Sequence, residues 1–302
     1  MKTHLVVSTA SFALSLLLLN IPATSRADNL FVSSNGNGDI EEFNTEGAGT
    51  ILARVSNPSG LAFDSVGDLF VADSGINAIE EFSSSGGALT NVSTVFARTL
   101  EPGALAFDSS GNLFVADGHN STIEEFNSSG TGTVFASANS GLSHPAGLAF
   151  DSAGNLFVAN AGSNTIEEFN SSGTGTVFAS TGLDDPVGLA FDSAGNLFAA
   201  NEYNNTIEEF NTSGTGTVFA SGLFNPVDLA FDSAGNLFVL NGADTSIDEF
   251  NSSGMGKFFA TVGGESFGVS YLAFEPIPEP SPLLLTALSA VFLVAFRKRP
   301  EP

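Results

Sequence analysis

Apolar residues in this chain gather in short runs, separated by clusters of Gly, Asn, Asp, Ser and Pro. Four runs make one unit: Gly147-Leu148-Ala149-Phe150, Leu156-Phe157-Val158-Ala159, Thr165-Ile166-Glu167-Glu168-Phe169 and Thr176-Val177-Phe178-Ala179. The unit recurs from about residue 29 to residue 276 at a spacing of 39 to 44 residues, the mark of a propeller with four-stranded blades. Its first run carries Phe at 63, 107, 150, 191, 231 and 274, its second at 31, 70, 114, 157, 198 and 238, and its third at 43, 82, 126, 169, 210 and 250. The fourth run falls at 50–54, 94–98, 133–137, 176–180, 217–221 and 257–261. This predicts an all-β protein of twenty-four strands, a six-bladed β-propeller of four-stranded antiparallel blades.

The order of the runs predicts how the ring closes. The chain opens on a second run, Leu30-Phe31-Val32, and the last unit ends on a first run, Leu272-Ala273-Phe274. One blade therefore takes its inner strand from the C-terminal side and its other three from the N-terminal side, which removes two open sheet edges. Asp-Ser-Ala-Gly-Asn at 151–155, 192–196 and 232–236 predicts tight connections between first and second strands, with Gly free to take φ > 0 and Asp able to bond its own backbone. Pro58, Pro102, Pro145, Pro186 and Pro226 are expected a few residues before the first strands, where a missing N–H does no harm, and mark the blade-to-blade crossings. With 29 Phe and no Trp, the core is built of Phe, Leu, Val, Ile and Ala, and residues 28–276 form one domain without disulfides.

Both ends read as addresses. Lys2, an apolar stretch from Leu5 to Leu19 and then Ser25-Arg26-Ala27 predict a signal peptide over residues 1–27, cut between Ala27 and Asp28. At the other end, over residues 277–302, Pro278-Glu279-Pro280 precedes an apolar run from Leu283 to Phe296 and the basic cluster Arg297-Lys298-Arg299. That run is marginal for a transmembrane helix, and the cluster would stay on the cytoplasmic side. The three-part tail resembles the PEP-CTERM sorting signal of Gram-negative bacteria. The resemblance implies transient membrane insertion, cutting near Pro278 by an exosortase-type enzyme, and release to the cell surface or an extracellular polysaccharide matrix. A plain membrane anchor is the alternative.

Charge narrows the partners. The chain has 33 acidic and 8 basic residues. Without residues 1–27 and those beyond Pro278, only Arg54, Arg98 and Lys257 remain against 31 acids, a charge near −28. Nucleic acid and anionic lipid surfaces are not the expected partners, because both are bound through Lys and Arg. Much of the charge lies in third-run pairs such as Glu41-Glu42 and Glu167-Glu168, which alternate between faces of a strand and are expected on a solvated outer rim.

Pro145-Ala146-Gly147-Leu148-Ala149-Phe150-Asp151 and Gly111-Asn112-Leu113-Phe114-Val115-Ala116-Asp117 give the repeats their family likeness. The chain resembles NHL-type propellers over residues 29–276, with the usual basic residue of the third strand replaced by Thr, Ala, Ser or Asp. Related six-bladed propellers include lactonases that hold Ca²⁺ at the channel mouth and lyases that use His. The resemblance implies that such a site would lie where the second strands end, at Asp73, Asp117, Asn160, Asn201 and Asn241, with Ser34 in the sixth place. Capping a turn is the other use for these side chains. His119 and His144, the catalytic candidates, are expected on that same face. Near-copy blades place rings of like residues around an axis, which suits binding more than directed proton transfer. The expectation is an exported binding or structural module, not an enzyme, for a polysaccharide, surface protein or divalent cation, with Ca²⁺ as the only candidate cofactor. The alternative is a secreted lactonase- or lyase-like enzyme with a metal at the channel mouth.

Overall fold

Residues with both faces covered need no alternation, and the second strands show this most clearly. In Leu113–Asp117, Leu156–Asn160 and Leu237–Asn241 all five side chains are buried. Alternation fails there because a neighbouring blade lies against each face. The fourth strands, such as Gly132–Ala136, run along the outside and are mostly exposed.

The computed structural model describes residues 29–85, 88–263 and 269–276. They form six four-stranded antiparallel sheets. Blade 1 contains Pro58–Phe63, Leu69–Asp73, Ala78–Phe82 and Thr94–Arg98, from the axis outward. Blade 2 contains Leu105–Phe107, Leu113–Asp117, Thr122–Phe126 and Gly132–Ala136. Blade 3 contains Pro145–Phe150, Leu156–Asn160, Thr165–Phe169 and Gly175–Ala179, and blade 4 contains Pro186–Phe191, Leu197–Asn201, Thr206–Phe210 and Gly216–Ser221. Blade 5 contains Pro226–Phe231, Leu237–Asn241, Ser246–Phe250 and Gly256–Thr261. Blade 6 joins Val269–Phe274 to Leu30–Ser34, Asp39–Phe43 and Gly49–Arg54.

The ring closes as the order of the runs predicts. Leu30 pairs with Phe274, Phe31 with Ala273, Val32 with Leu272 and Ser33 with Tyr271. Glu275 N donates to Asn29 O at 3.1 Å, one step beyond that ladder. Two details differ from expectation. A small hairpin, Ser84–Ser85 with Ala88–Leu89, adds two strands in the long third-to-fourth connection of blade 1. Pro58, Pro145, Pro186 and Pro226 do not precede the inner strands but begin them, each paired across a bulge with the last residue of the second strand, as in Pro145 with Asn160.

Blades are joined by phenylalanine. The second-strand Phe of one blade meets the first-strand Phe of the next: Phe70 and Phe107, Phe114 and Phe150, Phe157 and Phe191, Phe198 and Phe231, Phe238 and Phe274, each edge-on with centroids 5.0 Å apart. Phe31 and Phe63 complete the circle at 5.1 Å. The same second-strand ring takes an edge-on fourth-strand Phe on its other side, as Phe157 takes Phe178 at 4.9 Å. In blade 6 Leu52 fills that place. Such contacts add about 0.5–1.5 kcal/mol each to the burial of the rings.

Turn chemistry agrees with the sequence. Asp151 Oδ1 accepts from Ala153 N at 2.9 Å and Asn155 N at 2.8 Å, while Gly154 stands at φ 87°.

Phe157→Ala is expected to destabilise the ring by about 3–5 kcal/mol, whereas Val177→Ala on the exposed outer strand should change it by less than about 0.5 kcal/mol. Denaturant unfolding measures both. Removing residues 269–276 should abolish the single cooperative transition of the intact protein. Thermal unfolding unchanged by that deletion would contradict closure through blade 6.

Candidate functional site

The strand directions put two kinds of loop on one end of the ring: those joining second to third strands, and the crossings from one blade to the next. This crossing face holds every candidate site residue that lies among the described residues. Asp73, Asp117, Asn160, Asn201 and Asn241 are all buried there, as is Ser34. Asn160 Oδ1 accepts from Ser143 N at 3.0 Å and its Nδ2 donates to Gly141 O at 3.2 Å. Asn201 does the same with Asp184 N at 3.1 Å and Gly182 O at 2.9 Å, and Asn241 Oδ1 accepts from Phe224 N at 3.1 Å. Asp73 receives Ser56 N, Asn57 N and Gly75 N at 2.9, 3.0 and 2.9 Å. Asp117 instead braces its own loop, taking Asn120 N at 2.8 Å and Asn120 Nδ2 at 2.6 Å. Their oxygens are thus engaged by backbone N–H groups of loops, mostly the crossing that enters the same blade. Among the described residues, no group of three or more His, Asp or Glu side chains is placed to hold a metal ion.

His119 and His144 both lie exposed on this face. His119 Nδ1 stands 3.8 Å from Glu101 Oε2, while His144 stands at φ 50° with its ring against Gly162 and its backbone N–H donated to Ser121 Oγ. Each histidine is therefore engaged with a different partner.

The expected solvated rim of third-strand carboxylates needs correction. The fourth strand occupies the rim, and the first acid of several pairs turns inward: Glu41, Glu167 and Glu208 are each only 6% exposed. Glu41 Oε2 accepts from Gly263 N at 3.1 Å, Thr99 Oγ1 donates to Glu124, and Ser93 Oγ donates to Glu80 at 3.0 Å. Burial pushes the carboxyls of Glu41, Glu80, Glu167, Glu208 and Asp248 above their ordinary range.

At the axis the blades are not copies. One inner-strand position reads Gly60, Ala104, Gly147, Gly188, Asp228 and Tyr271 around the ring. At Gly147 a Cβ would come within 1.9 Å of Val187 O, so that blade admits only glycine. Tyr271 of blade 6 spans the axis and donates its hydroxyl to Ala146 O of blade 3, directly opposite, at 2.7 Å. Asp228 of blade 5 is buried beside it and accepts Leu272 N from the closing strand at 2.9 Å. Burial pushes the Asp228 carboxyl up to about 7, and burial together with the Asp228 charge pushes the Tyr271 hydroxyl up as well. The ring is therefore plugged, and a ligand must be met on a face. On the opposite face a cavity of about 350 Å³ opens between blades 4 and 5, lined by Asp192, Glu209, Asp232 and Asn251.

Sequence reasoning passed over a second group on the crossing face. Tyr203, in the second-to-third loop of blade 4, is 70% exposed, and Phe224, in the crossing into blade 5, is 57% exposed. Asn225 Nδ2 donates to Glu202 Oε1 at 3.0 Å, so the residues next to each ring are bonded to one another. The available signal was departure from the repeat: Ala161-Gly162 in blade 3 becomes Glu202-Tyr203 in blade 4, and Ser143-His144 becomes Phe224-Asn225.

No protein-family model matches the chain, and a comparison with curated proteins found no match. Solved structures do resemble it. A chain from a nidogen/laminin complex superposes with a TM-score of 0.72 at 21% identity, covering 82% of this chain and 98% of that one. Virginiamycin B lyase from Staphylococcus aureus superposes at 0.63 and 17% identity, covering 83% and 88%, and a streptogramin B lyase at 0.62 and 15%, covering 84% and 92%. At these identities the likeness shows the fold alone: a six-bladed propeller, shared by a protein found in a binding complex and by enzymes. The expectation that this chain is not an enzyme is overturned by the lyases, which are built on the same scaffold. Its premise fails too, because the copying breaks at the inner-strand residues Asp228 and Tyr271 and in the crossing-face loops at Glu202, Tyr203 and Phe224.

The signal peptide, with Ala27 and Asp28, and the tail, with Pro278, Glu279, Pro280, Arg297, Lys298 and Arg299, lie outside the described residues. Among the described residues no helix is long and apolar enough to cross a membrane.

Asp228 makes stability depend on pH. Folded, it keeps its proton up to about 7; unfolded, it loses it near 3.8. Between those values the folded state holds more protons, so stability falls as pH rises and the full penalty is present above about 7. Asp228→Asn should flatten that slope relative to wild type, by an amount on the order of 4 kcal/mol between pH 4 and 8, read as the difference in unfolding free energy.

Proposed function

We propose that this propeller is an exported module of the bacterial cell surface or its polysaccharide matrix, binding a partner that is neutral or cationic. The observation that carries the reading is uncompensated negative charge. Two of the three basic residues between 28 and 278 are neutralised locally, Arg54 by Asp39 at 2.7 Å and Lys257 by Glu249 at 2.9 Å. The surface potential is then that of the unpaired carboxylates, which repels phosphate polymers and draws cations. Likeness to a propeller found in a nidogen/laminin complex supports use of the ring as a binding platform. The N-terminal Lys2-to-Ala27 segment and the PEP-CTERM-like tail support the route: export, transient insertion, and release by an exosortase-type enzyme in a Gram-negative host.

The intact mass of protein from the membrane and extracellular fractions of its host, with peptide mapping of both ends, tests the route. The expected released species begins at Asp28 and ends near Pro278. A membrane-bound species that keeps Arg297 to Arg299, with no released form, would leave the tail as an anchor. The same material should be retained by a polycationic matrix and pass through a polyanionic one in low salt, and the opposite behaviour would sink the charge argument.

A further inference from the structure

One set of exposed apolar residues on this molecule repeats around the ring. Ile51, Val95, Val134, Val177, Val218 and Phe258 occupy one fourth-strand position in all six blades, so they belong to the repeat and describe the fold. Val66, Ile76, Val92, Leu100, Met255, Tyr203 and Phe224 belong to no such series, and among these Tyr203 and Phe224 are the aromatic residues. Nothing in the framework calls for a ring at either place, since blade 3 is built with Gly162 where blade 4 has Tyr203.

Their loops are held firmly. Tyr203 N donates to Asp184 O at 3.4 Å and Glu202 N to Asp185 O at 3.1 Å. Phe224 N is held by Asn241 Oδ1 and Asn225 N by Asn205 Oδ1, at 3.1 and 2.7 Å, and Ala243 N donates to Phe224 O at 3.1 Å. Two rings are thus presented to solvent on pinned backbones, with little ordering left to lose on binding. Around them stand the carboxylates of Asp184, Asp185 and Glu202. Burial and the charges of Glu202 and Asp184 push the Asp185 carboxyl up. Such crowding of like charge is relieved by a bound cation.

Hydrogen-bonding capacity selects among cations and sugars. The patch carries three carboxylates, Asp184, Asp185 and Glu202, and no basic side chain, so acceptors and negative charge predominate in it. A neutral sugar gains nothing from the uncompensated charge of these carboxylates, whereas a cation does. Guanidinium donates five N–H bonds and accepts none, stacks on aromatic faces and pairs with carboxylates. Resting on the proposal of an acidic binding module, we propose that Asp184, Asp185, Glu202, Tyr203, Phe224 and Asn225 form a docking site for an arginine-bearing segment of a basic partner protein.

The test titrates the intact protein purified from its host with a tetra-arginine peptide, and with the same peptide carrying neutral citrulline, by calorimetry at low and at physiological salt. Binding of the arginine peptide and not of the citrulline peptide is expected. Tyr203→Ala and Phe224→Ala should each weaken it by about five-fold or more, while Tyr203→Phe, which keeps the ring, stays close to wild type. Met255→Ala, exposed on the opposite face, should leave it unchanged. Circular dichroism of each variant verifies the fold. Arginine binding that Tyr203→Ala and Phe224→Ala leave intact would overturn the site while the acidic-module reading stands. No binding of the peptide and no retention on a polycationic matrix would overturn both. Binding of a neutral polysaccharide that these two substitutions abolish, without binding of the arginine peptide, would also overturn the assignment to a basic protein.

Discussion

Each blade is fastened to the next by a second-strand phenylalanine packed edge-on against the first-strand phenylalanine of its neighbour, and this contact recurs at all six junctions with centroids 5.0 to 5.1 Å apart. The rest of the structure depends on it. The rings bury large apolar area where both sheet faces are covered, in a chain with neither Trp nor Cys to supply another fastening. Because Phe31 and Phe274 lie on adjacent strands of blade 6, one at each end of the folded region, the same contact that stacks blades also secures the closure.

A ring so uniform makes its irregularities informative. At the axis, backbones crowd until Gly147 has no room for a Cβ, yet the matching places in blades 5 and 6 carry Asp228 and Tyr271. Tyr271 reaches the opposite blade and Asp228 holds the closing strand, so the two departures brace the one blade assembled from both chain ends. The accompanying cost is a carboxyl buried in the middle of the molecule. With the axis filled, recognition is left to the faces.

On the crossing face, function and folding use adjacent residues for different ends. Asn160, Asn201 and Asn241 are spent on holding the crossings, and this firmness lets neighbouring loops vary. Tyr203, Phe224 and their carboxylates stand on that fixed base. A binding complex and lyases both contain propellers of this shape, which accords with scaffolds of one fold hosting unlike chemistry through their loops.

The run pattern was enough for blade number, strand order, hairpin turns and the closing blade, since spacing of apolar runs and the φ > 0 demanded at residues such as Gly154 are local properties. It did not tell Glu167 from Glu168. Both sit in one strand, and which is buried depends on the crossing loop near Gly141, which is remote in sequence. Nor did it show that His119 and His144 have separate partners, or that Glu202 and Asn225, next to Tyr203 and Phe224, are bonded to each other. The sequence by itself determined the ring, because repetition encodes one contact six times. Only the tertiary structure decided which loops meet on a face and which carboxylates lose water, because those are consequences of closing the circle.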